Sequence, residues 1–283
     1  MPKVFHEILR DYVDIPEKPM RIASLYPSVT ETLVEIGISE ELVGVSSWCH
    51  FFVTGLKKKA VSSATEVNYK RLEEVKPDLV LTTSGIQRQM ATELYSKGYQ
   101  VFPIPLAFSL YGIIANVLLI GALVGKQREA QQLGEKLALE IEASRVQLKY
   151  EQRPRAYIEI VWPDKSCTTI GGLTFINDLV YAAGARSIFS EKLLSYFTAD
   201  FKDVAAANPN FILFILEPPL EMKETNIASL VKNREWERVE AVEKDKVALT
   251  LEKDLPLTHS GPSAINNIRL LSKKLREFGM LAK

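Results

Sequence analysis

Apolar residues occur in short runs that alternate with amphipathic segments along most of the chain. Continuous apolar runs predict buried strands, and segments with an apolar residue every three or four positions predict helices. The predicted strands are 21–26, 42–46, 79–83, 100–104, 155–162 and 246–251. The predicted helices are 29–36 and 173–183, each followed by a glycine, and 262–278 near the end. This alternation of strands and helices is typical of parallel sheets.

One short pattern occurs twice. Residues 69–81, YKRLEEVKPDLVL, align without gaps to residues 201–213, FKDVAAANPNFIL. Each copy predicts a helix that stops before a proline, where the α region is disfavoured, and then an apolar run typical of a buried parallel strand. The same helix-to-strand step in both halves predicts two related α/β lobes.

Residues 106–125 form an uncharged stretch of 20 residues, about the length that spans a bilayer. Ser109, Asn116 and the smooth continuation into a charged, amphipathic sequence argue against a span. We predict one long helix over 109–150, with a buried first half. The expected fold is α/β, with two Rossmann-like lobes at 1–106 and 153–283 joined by a backbone helix at 107–152. A ligand would bind in the cleft at the carboxyl ends of the two sheets.

Composition excludes several classes of protein. The 283 residues include 35 Lys and Arg and 35 Asp and Glu, and this zero balance does not favour a nucleic-acid partner. With 47% hydrophobic residues the chain has enough apolar material for ordinary globular cores. We also expect a monomer. Two cysteines, Cys49 and Cys167, are too few for a disulfide framework, and a bridge between them is left open.

The first residues, MPKVFHEILR, lack the apolar segment of a secretory signal. We expect a cytoplasmic protein if this start is native. If a signal was trimmed, we expect a periplasmic or extracellular, membrane-associated protein.

Three segments carry a family resemblance. They are 21–31 (RIASLYPSVTE), 42–49 (LVGVSSWC) and 72–80, which contains Lys-Pro-Asp. They resemble the helical-backbone substrate-binding proteins of ABC importers, which have the class III periplasmic-binding-protein fold, and are most similar to the cobalamin-binding branch. The resemblance implies a non-catalytic protein that holds cobalamin or a related corrinoid between its lobes. The resemblance also implies that the protein has no catalytic cofactor. It implies an ABC permease as a partner.

Candidate ligand-binding residues lie where predicted strands end. They are Tyr26, Trp48, His50, Phe51, Ser84, Gly85, Trp162 and His259. Tyr196 is a further candidate, which comes from the family resemblance alone. Aromatic rings give large apolar contact with a flat ligand, although Phe51 and Phe52 equally suit anchors of the loop to the core. The resemblance places Trp48 and Tyr196 at aromatic ligand positions of the cobalamin branch. The cobalamin branch has a third ligand-contacting aromatic residue. The matching position in this sequence, at about Ala64, is not aromatic.

Histidine is the other candidate ligand type. Only His6, His50 and His259 occur, so a three-histidine zinc site is not expected. We expect His50 and His259 to face each other across the cleft as axial ligands of a corrinoid or haem metal, because neutral imidazole binds cobalt and iron. Hydrogen bonding of each ring to the backbone is the alternative.

The resemblance also implies one glutamate on each lobe that meets permease arginines. The matching positions here are Gln87 and Lys202, neither of which is acidic. A lysine facing an arginine is repulsive, so we expect docking in that manner to be absent. Glu93 and Glu191 lie nearby in sequence and are alternative docking acids.

Two other functions stay open. The first is a binding protein for haem or an iron–siderophore complex, with positive charge supplied by Arg88, Arg153 and Arg155. The second is a chelatase-like enzyme that inserts metal into a tetrapyrrole, in which His50 delivers the metal and Glu31 accepts a proton. Glu31 also fits a helix-capping box with Ser28.

Overall fold

The computed structural model describes residues 3–222, 225–232 and 234–282. Contacts within the chain define two compact units. Unit 1 comprises Met1–Ala107, Tyr111–Ala138 and His259–Pro262, and unit 2 comprises Phe108–Leu110, Leu139–Thr258 and Ser263–Lys283. The expected limits of the two lobes, 1–106 and 153–283, stay a prediction.

Unit 1 is built on a five-stranded sheet with short helices between its strands. The elements up to the first unit boundary are β1 (Lys3–His6), β2 (Asp11–Asp14), β3 (Ile22–Ser24), α1 (Pro27–Glu35), β4 (Leu42–Ser46), α2 (Cys49–Phe52), β5 (Ala60–Ser62), α3 (Tyr69–Val75), β6 (Leu79–Thr83), α4 (Arg88–Ser96) and β7 (Val101–Ile104). The sheet order is β5-β4-β3-β6-β7, and every pair in it is parallel. The carboxyl ends of all five strands therefore share one edge.

A small antiparallel hairpin precedes this sheet. Strands β1 and β2 pair through Val4 and Val13, and Arg10 occupies the left-handed region between them. His6 anchors the hairpin, because its Nε2 lies 2.7 Å from the Pro103 carbonyl oxygen and its ring packs edge-on against Phe102. His6 thus has a structural role.

Unit 2 contains a six-stranded sheet. Its elements are a 3₁₀ turn (Tyr150–Gln152), β8 (Arg155–Val161), β9 (Cys167–Ile170), α7 (Phe175–Ala182), β10 (Arg186–Ser187), β11 (Tyr196–Phe197), α8 (Phe201–Ala207), β12 (Phe211–Leu216), α9 (Ile227–Val231), α10 (Glu240–Glu243), β13 (Val247–Leu251), a second 3₁₀ turn (Pro262–Asn266) and α11 (Asn267–Glu277). The order is β11-β9-β8-β12-β13, with β10 parallel to the start of β8. Strands β8, β12 and β13 are parallel.

The prediction of parallel sheets is wrong for one side of unit 2. Strand β9 is antiparallel to β8, and β11 is antiparallel to β9. The chain reverses in a tight turn in which Trp162 N–H donates to the Ser166 carbonyl at 2.9 Å. A turn this short forms a hairpin, whereas a parallel crossover needs about a dozen residues or more.

The repeated pattern forms equivalent structures in the two units. Helices α3 and α8 both end on a left-handed residue before proline, Lys76 with φ 44° and Asn208 with φ 45°. The strands that follow, β6 and β12, each pair with parallel neighbours on both sides. The predicted repeat is confirmed, and in each unit it supplies an interior strand of the sheet.

The prediction of one helix over 109–150 is wrong, because two helices occur there. They are α5 (Leu110–Leu123) and α6 (Gln127–Ser144). Gly125 has φ +70°, and Lys126 N–H donates to the Gly121 carbonyl at 2.7 Å, which together form a Schellman-type helix end. A Cβ on Gly121 would lie 2.2 Å from that of Ala130, so α6 folds back closely against α5.

The uncharged stretch that includes α5 does not make a spanning helix. Ile113, Val117 and Ile120 are buried on one side of α5, whereas Leu118 is 43% exposed. Within residues 3–222, 225–232 and 234–282, no helix is long and apolar enough to cross a membrane.

Candidate functional site

The candidate site in unit 1 lies at the carboxyl edge of its sheet. Strands β4, β3 and β6 are neighbours, and the residues that follow them include Trp48, Tyr26 and Ser84 respectively. The predicted positions on these three strand ends therefore lie along one edge, as expected for parallel strands.

The loop after β4 forms one short turn of helix. Its residues differ in exposure: Cys49 is buried, Trp48 is half-buried, and Phe51 is 57% exposed. Burial raises the pKa of the Cys49 thiol, which lies 3.1 Å from the hydroxyl oxygens of Thr30 and Ser46. Cys49 therefore holds the loop to the sheet, while Phe51 faces solvent.

His50 is exposed, and one of its ring nitrogens is engaged. Nδ1 lies 3.2 Å from the Leu56 carbonyl oxygen. A carbonyl oxygen only accepts, so in the neutral ring Nδ1 carries the proton and Nε2 carries the lone pair. This contact is the backbone hydrogen bond that the alternative prediction expected for His50. A backbone carbonyl on the second nitrogen is also usual for a metal-binding histidine.

His259 has different neighbours. Its Nε2 lies 2.6 Å from Glu31 Oε2, and its ring stacks on Phe52 with centroids 4.8 Å apart and planes 10° apart. The ring is 5% exposed. Phe52 is thus a packing residue of this loop, and His259 is held by a carboxylate and an aromatic face.

Glu31 does not form the expected capping box. Helix α1 begins at Pro27 after Tyr26, and no side chain caps it. The Glu31 carboxylate instead reaches His259, and a Cβ on Gly261 would lie 1.8 Å from Glu31 Oε2. Glycine at position 261 is therefore required by the Glu31–His259 pair.

The turn after β6 is largely occupied by internal contacts. Ser84 Oγ accepts from Leu106 N–H at 3.0 Å, and a Cβ on Gly85 would lie 2.8 Å from a methyl group of Leu106. Both residues are half-buried, so each keeps part of its surface at the sheet edge.

Gln87, the position matched to a docking glutamate of the family, is fully buried. Its amide donates to the carbonyl oxygens of Leu25 at 2.7 Å and Ala64 at 2.9 Å, and its Oε1 accepts from Thr83 N–H at 3.1 Å. Gln87 therefore joins three segments of unit 1 and is not available to a partner's arginine. Lys202, by contrast, is exposed on α8 of unit 2.

In unit 2, Trp162 lies at the carboxyl end of β8. It is half-buried, and its indole N–H donates to the Thr168 hydroxyl at 2.9 Å. Tyr196 lies on the edge strand β11 and is 38% exposed. Both aromatic rings thus keep exposed surface, as ligand contacts require.

The arginines proposed for an anionic ligand are mostly engaged elsewhere. Arg153 is buried, with its guanidinium 3.7 Å from the Tyr181 ring centroid. Arg155 begins β8, at the amino end of the strand, and pairs with Glu240 at 3.3 Å. These two are structural residues, while Arg88 is exposed at the start of α4, just after the Ser84–Gly85 turn.

Sequence reasoning missed a buried acidic pair in unit 2. Glu217 directly follows β12 and Glu252 directly follows β13, and both are fully buried. The Thr258 hydroxyl lies 2.5 Å from Glu217 Oε1 and 2.7 Å from Glu252 Oε1. One hydroxyl proton cannot serve both carboxylates, and burial raises the pKa of Glu217 to about 7. An acidic residue directly after each of two buried strands was the available signal.

Neither Cys49 nor Cys167 forms a disulfide bridge. Cys167 is half-buried, and burial, together with the charge of Glu159, raises the pKa of its thiol to about 11. Among the residues that the structure describes, no group of three or more His, Cys, Asp and Glu side chains is placed to hold a metal ion.

Comparison with known proteins agrees with this architecture. Residues 22–253 match the family described as "Periplasmic binding protein". The "Cobalamin-binding protein" of Halobacterium salinarum is 28% identical over 185 residues, which cover 63% of this chain and 48% of that protein. The chain thus spans about half the length of the curated relatives it matches first.

Solved structures share the fold. The periplasmic vitamin B12 binding protein BtuF of Vibrio cholerae has a TM-score of 0.73 and 18% identity, covering 93% of this chain and 99% of that one. IsdE of S. aureus, complexed with heme, has a TM-score of 0.77 and 20% identity, covering 90% and 98%. These likenesses confirm the class III fold expected from the sequence. With most of its length matched by the family, the chain belongs to the periplasmic binding proteins.

Proposed function

We propose that this protein binds a corrinoid of the cobalamin class and performs no chemistry on it. The observation that carries the proposal is the loop after β4, where half-buried Trp48, exposed Phe51 and exposed His50 occupy one strand end. Aromatic surface beside an imidazole suits a large flat ligand with a metal centre. The cobalamin-binding relative from Halobacterium salinarum supports the same ligand class.

The proposal assigns roles to the remaining candidates. Tyr26, Ser84 and Gly85 would contact the ligand from neighbouring strand ends of unit 1. Trp162 and Tyr196 of unit 2 stay predictions as ligand contacts. His50 would be the axial ligand of the metal, through its Nε2 lone pair. His259 is the weaker metal candidate, because its Nε2 already faces Glu31.

The experiment is calorimetric titration of cyanocobalamin into the wild type and the Trp48→Ala and Tyr196→Ala variants. Loss of either aromatic contact should weaken binding by about 1–3 kcal/mol, the usual scale for a large apolar contact. Phe5→Ala is the matched control, because Phe5 is 53% exposed on the amino-terminal hairpin. Unchanged affinity in both folded variants would reject the aromatic-walled site.

Haem is the second candidate ligand. The open Nε2 of His50 suits iron as well as cobalt, and Arg88 is exposed near the Ser84–Gly85 turn, where it would attract a carboxylate. Haem binding predicts that Arg88→Gln weakens haemin affinity. An iron–siderophore complex has less support, since Arg153 and Arg155 are engaged in structural contacts.

A chelatase-like reaction has also lost its proposed proton acceptor, because the Glu31 carboxylate is engaged with His259. If incubation of the protein with metal-free porphyrin and ferrous or cobaltous ion yields metallated product above the protein-free control, binding without chemistry is wrong.

The partner and the location are part of the proposal. The sequence predicted no docking to an ABC permease, because neither Gln87 nor Lys202 is acidic. Gln87 is buried, so its lack of charge says nothing about docking. Exposed Glu93 and Glu191 are available to meet permease arginines. The location stays a prediction, with the cytoplasm as one alternative and a periplasmic or extracellular, membrane-associated place as the other. Fractionation of cells that express the full gene tests it.

A further inference from the structure

A second concave region of unit 1 lies beside the loop after β4. It is a cavity of about 600 Å³ along the edge strand β5. Its polar lining residues are Ser47, Ser62, Ser63, Glu66, Asn68 and Arg71. Ser47 immediately precedes Trp48, so this cavity adjoins the proposed ligand loop.

The rim of the cavity is held in place by hydrogen bonds. Ser63 Oγ accepts from Glu66 N–H at 3.0 Å, and Ser63 N–H donates to the Glu66 carbonyl at 2.8 Å. The buried amide of Gln87 donates to the Ala64 carbonyl within the same turn. Ser47 N–H donates to the Ser62 carbonyl at 2.8 Å, which fixes the opposite side. The cavity is therefore preformed.

Two opposite charges line this cavity without pairing. Arg71 donates through Nη1 to the Ala60 carbonyl at 3.2 Å, which holds the guanidinium against β5. Within the described part of the chain, neither Arg71 nor Glu66 makes an ion pair. Asn68 uses its Oδ1 to accept from Arg71 N–H, which leaves its NH₂ group as a donor. The hydroxyl group of Ser62 is buried, and it has no hydrogen-bond partner among the described residues.

A neutral group that both donates and accepts hydrogen bonds is complementary to this lining. A primary carboxamide offers N–H groups to a carboxylate and a carbonyl oxygen to a guanidinium or amide donor. A carboxylate would be repelled by Glu66, and an ammonium group would be repelled by Arg71.

We propose that this cavity is a subsite for a primary carboxamide on the periphery of the ligand. The inference rests on the proposed function and narrows it, since the polar substituents of a corrin ring are largely carboxamides and those of haem are carboxylates. Glu66 would accept from the amide NH₂, and Arg71 and Asn68 would donate to its oxygen. The subsite therefore selects corrinoids by their amidation.

The test compares two corrins by calorimetric titration, dicyanocobinamide with peripheral carboxamides and dicyanocobyrinic acid with peripheral carboxylates. Glu66→Gln should reduce the preference for the carboxamide corrin about tenfold, because the amide NH₂ loses a charged acceptor and the carboxylate corrin loses a repelling charge. Arg71→Gln should weaken binding of dicyanocobinamide by a similar factor. Glu73→Gln and Lys70→Gln are the matched controls, since both residues are exposed on α3 outside the cavity lining.

The outcomes separate this inference from the proposed function. If dicyanocobinamide binds and Glu66→Gln changes the preference no more than Glu73→Gln does, the subsite is wrong and the corrinoid function stands. If neither corrin binds the wild type, both are wrong.

Discussion

Glu217 contributes a pH-dependent term to the stability of unit 2. Burial raises its pKa from 4.5 to about 7, so the folded state keeps a proton that the unfolded chain releases at lower pH. The stability that this proton provides is complete below about pH 4.5 and is lost as the pH rises to about 7. Linkage sets an upper limit of about 3 kcal/mol on the loss.

Glu217→Gln should therefore remove much of the decrease in unfolding free energy between pH 5 and pH 8, because glutamine imitates the protonated acid without titrating. Urea unfolding at both pH values measures the difference. Glu191→Gln, at an exposed acid of the same unit, should leave it unchanged. Equal pH dependence in the wild type and Glu217→Gln would show that Glu217 is ionised in the folded state at neutral pH.

Gly261 provides a test of the Glu31–His259 pair. A Cβ at this position would occupy the place of Glu31 Oε2, so Gly261→Ala should push the carboxylate away from the imidazole. The loss of one charge-assisted hydrogen bond corresponds to about 1.5–3 kcal/mol of unfolding free energy.

A double-mutant cycle with Glu31→Ala isolates the effect of the pair. If Gly261→Ala acts through Glu31, it should be less damaging in the Glu31→Ala background, where no side-chain atom occupies the place of Oε2, than in the wild type. Strictly additive unfolding free energies would contradict the role assigned to Gly261.

At the residue scale, the sequence predicted positions better than contacts. Trp48 and Trp162 were placed at strand ends because the apolar runs before them end clearly. The Glu31–His259 pair had no such signal, since its members lie 228 residues apart. The roles of Phe51 and Phe52 stayed undecided until the stacking of Phe52 on His259 separated them.

At the scale of elements, the helix pair α5 and α6 is the main departure from prediction. Gly125 has a left-handed backbone, so Gly125→Ala should destabilise the protein by about 1 kcal/mol. In one continuous helix the same change would stabilise it by about the same amount, because alanine is the better helix former. The sign of the change in urea unfolding free energy therefore distinguishes the two structures.

The end of α5 near Gly125 could have been predicted from the sequence, because a glycine just after the last residue of an apolar periodic segment commonly ends a helix. The long apolar run of 106–125 concealed it. The repeated helix-to-strand step was predicted correctly, because Pro77 and Pro209 give an unambiguous end to each helix. Strand β9 was missed because residues 167–170, Cys-Thr-Thr-Ile, contain too few apolar residues to indicate a strand.

At the scale of the whole molecule, the family follows from short motifs that occur in order along the chain, whereas the ligand depends on a few side chains. Trp48, His50 and the cavity lined by Glu66 and Arg71 all lie in unit 1. Under the proposed function, Trp48 and His50 would contact the ring and its metal, and the cavity would hold a carboxamide. Unit 2 adds Trp162 and Tyr196, both of which keep exposed surface.

The most direct test of corrinoid binding is an absorbance titration of the wild-type protein with aquocobalamin and, separately, with haemin. We predict a saturable spectral change at one equivalent of aquocobalamin, as the Nε2 of His50 replaces the exchangeable water on cobalt. The His50→Ala variant should lose this spectral change while still retaining aquocobalamin on equilibrium dialysis. Saturation with haemin and no retention of aquocobalamin would contradict the account.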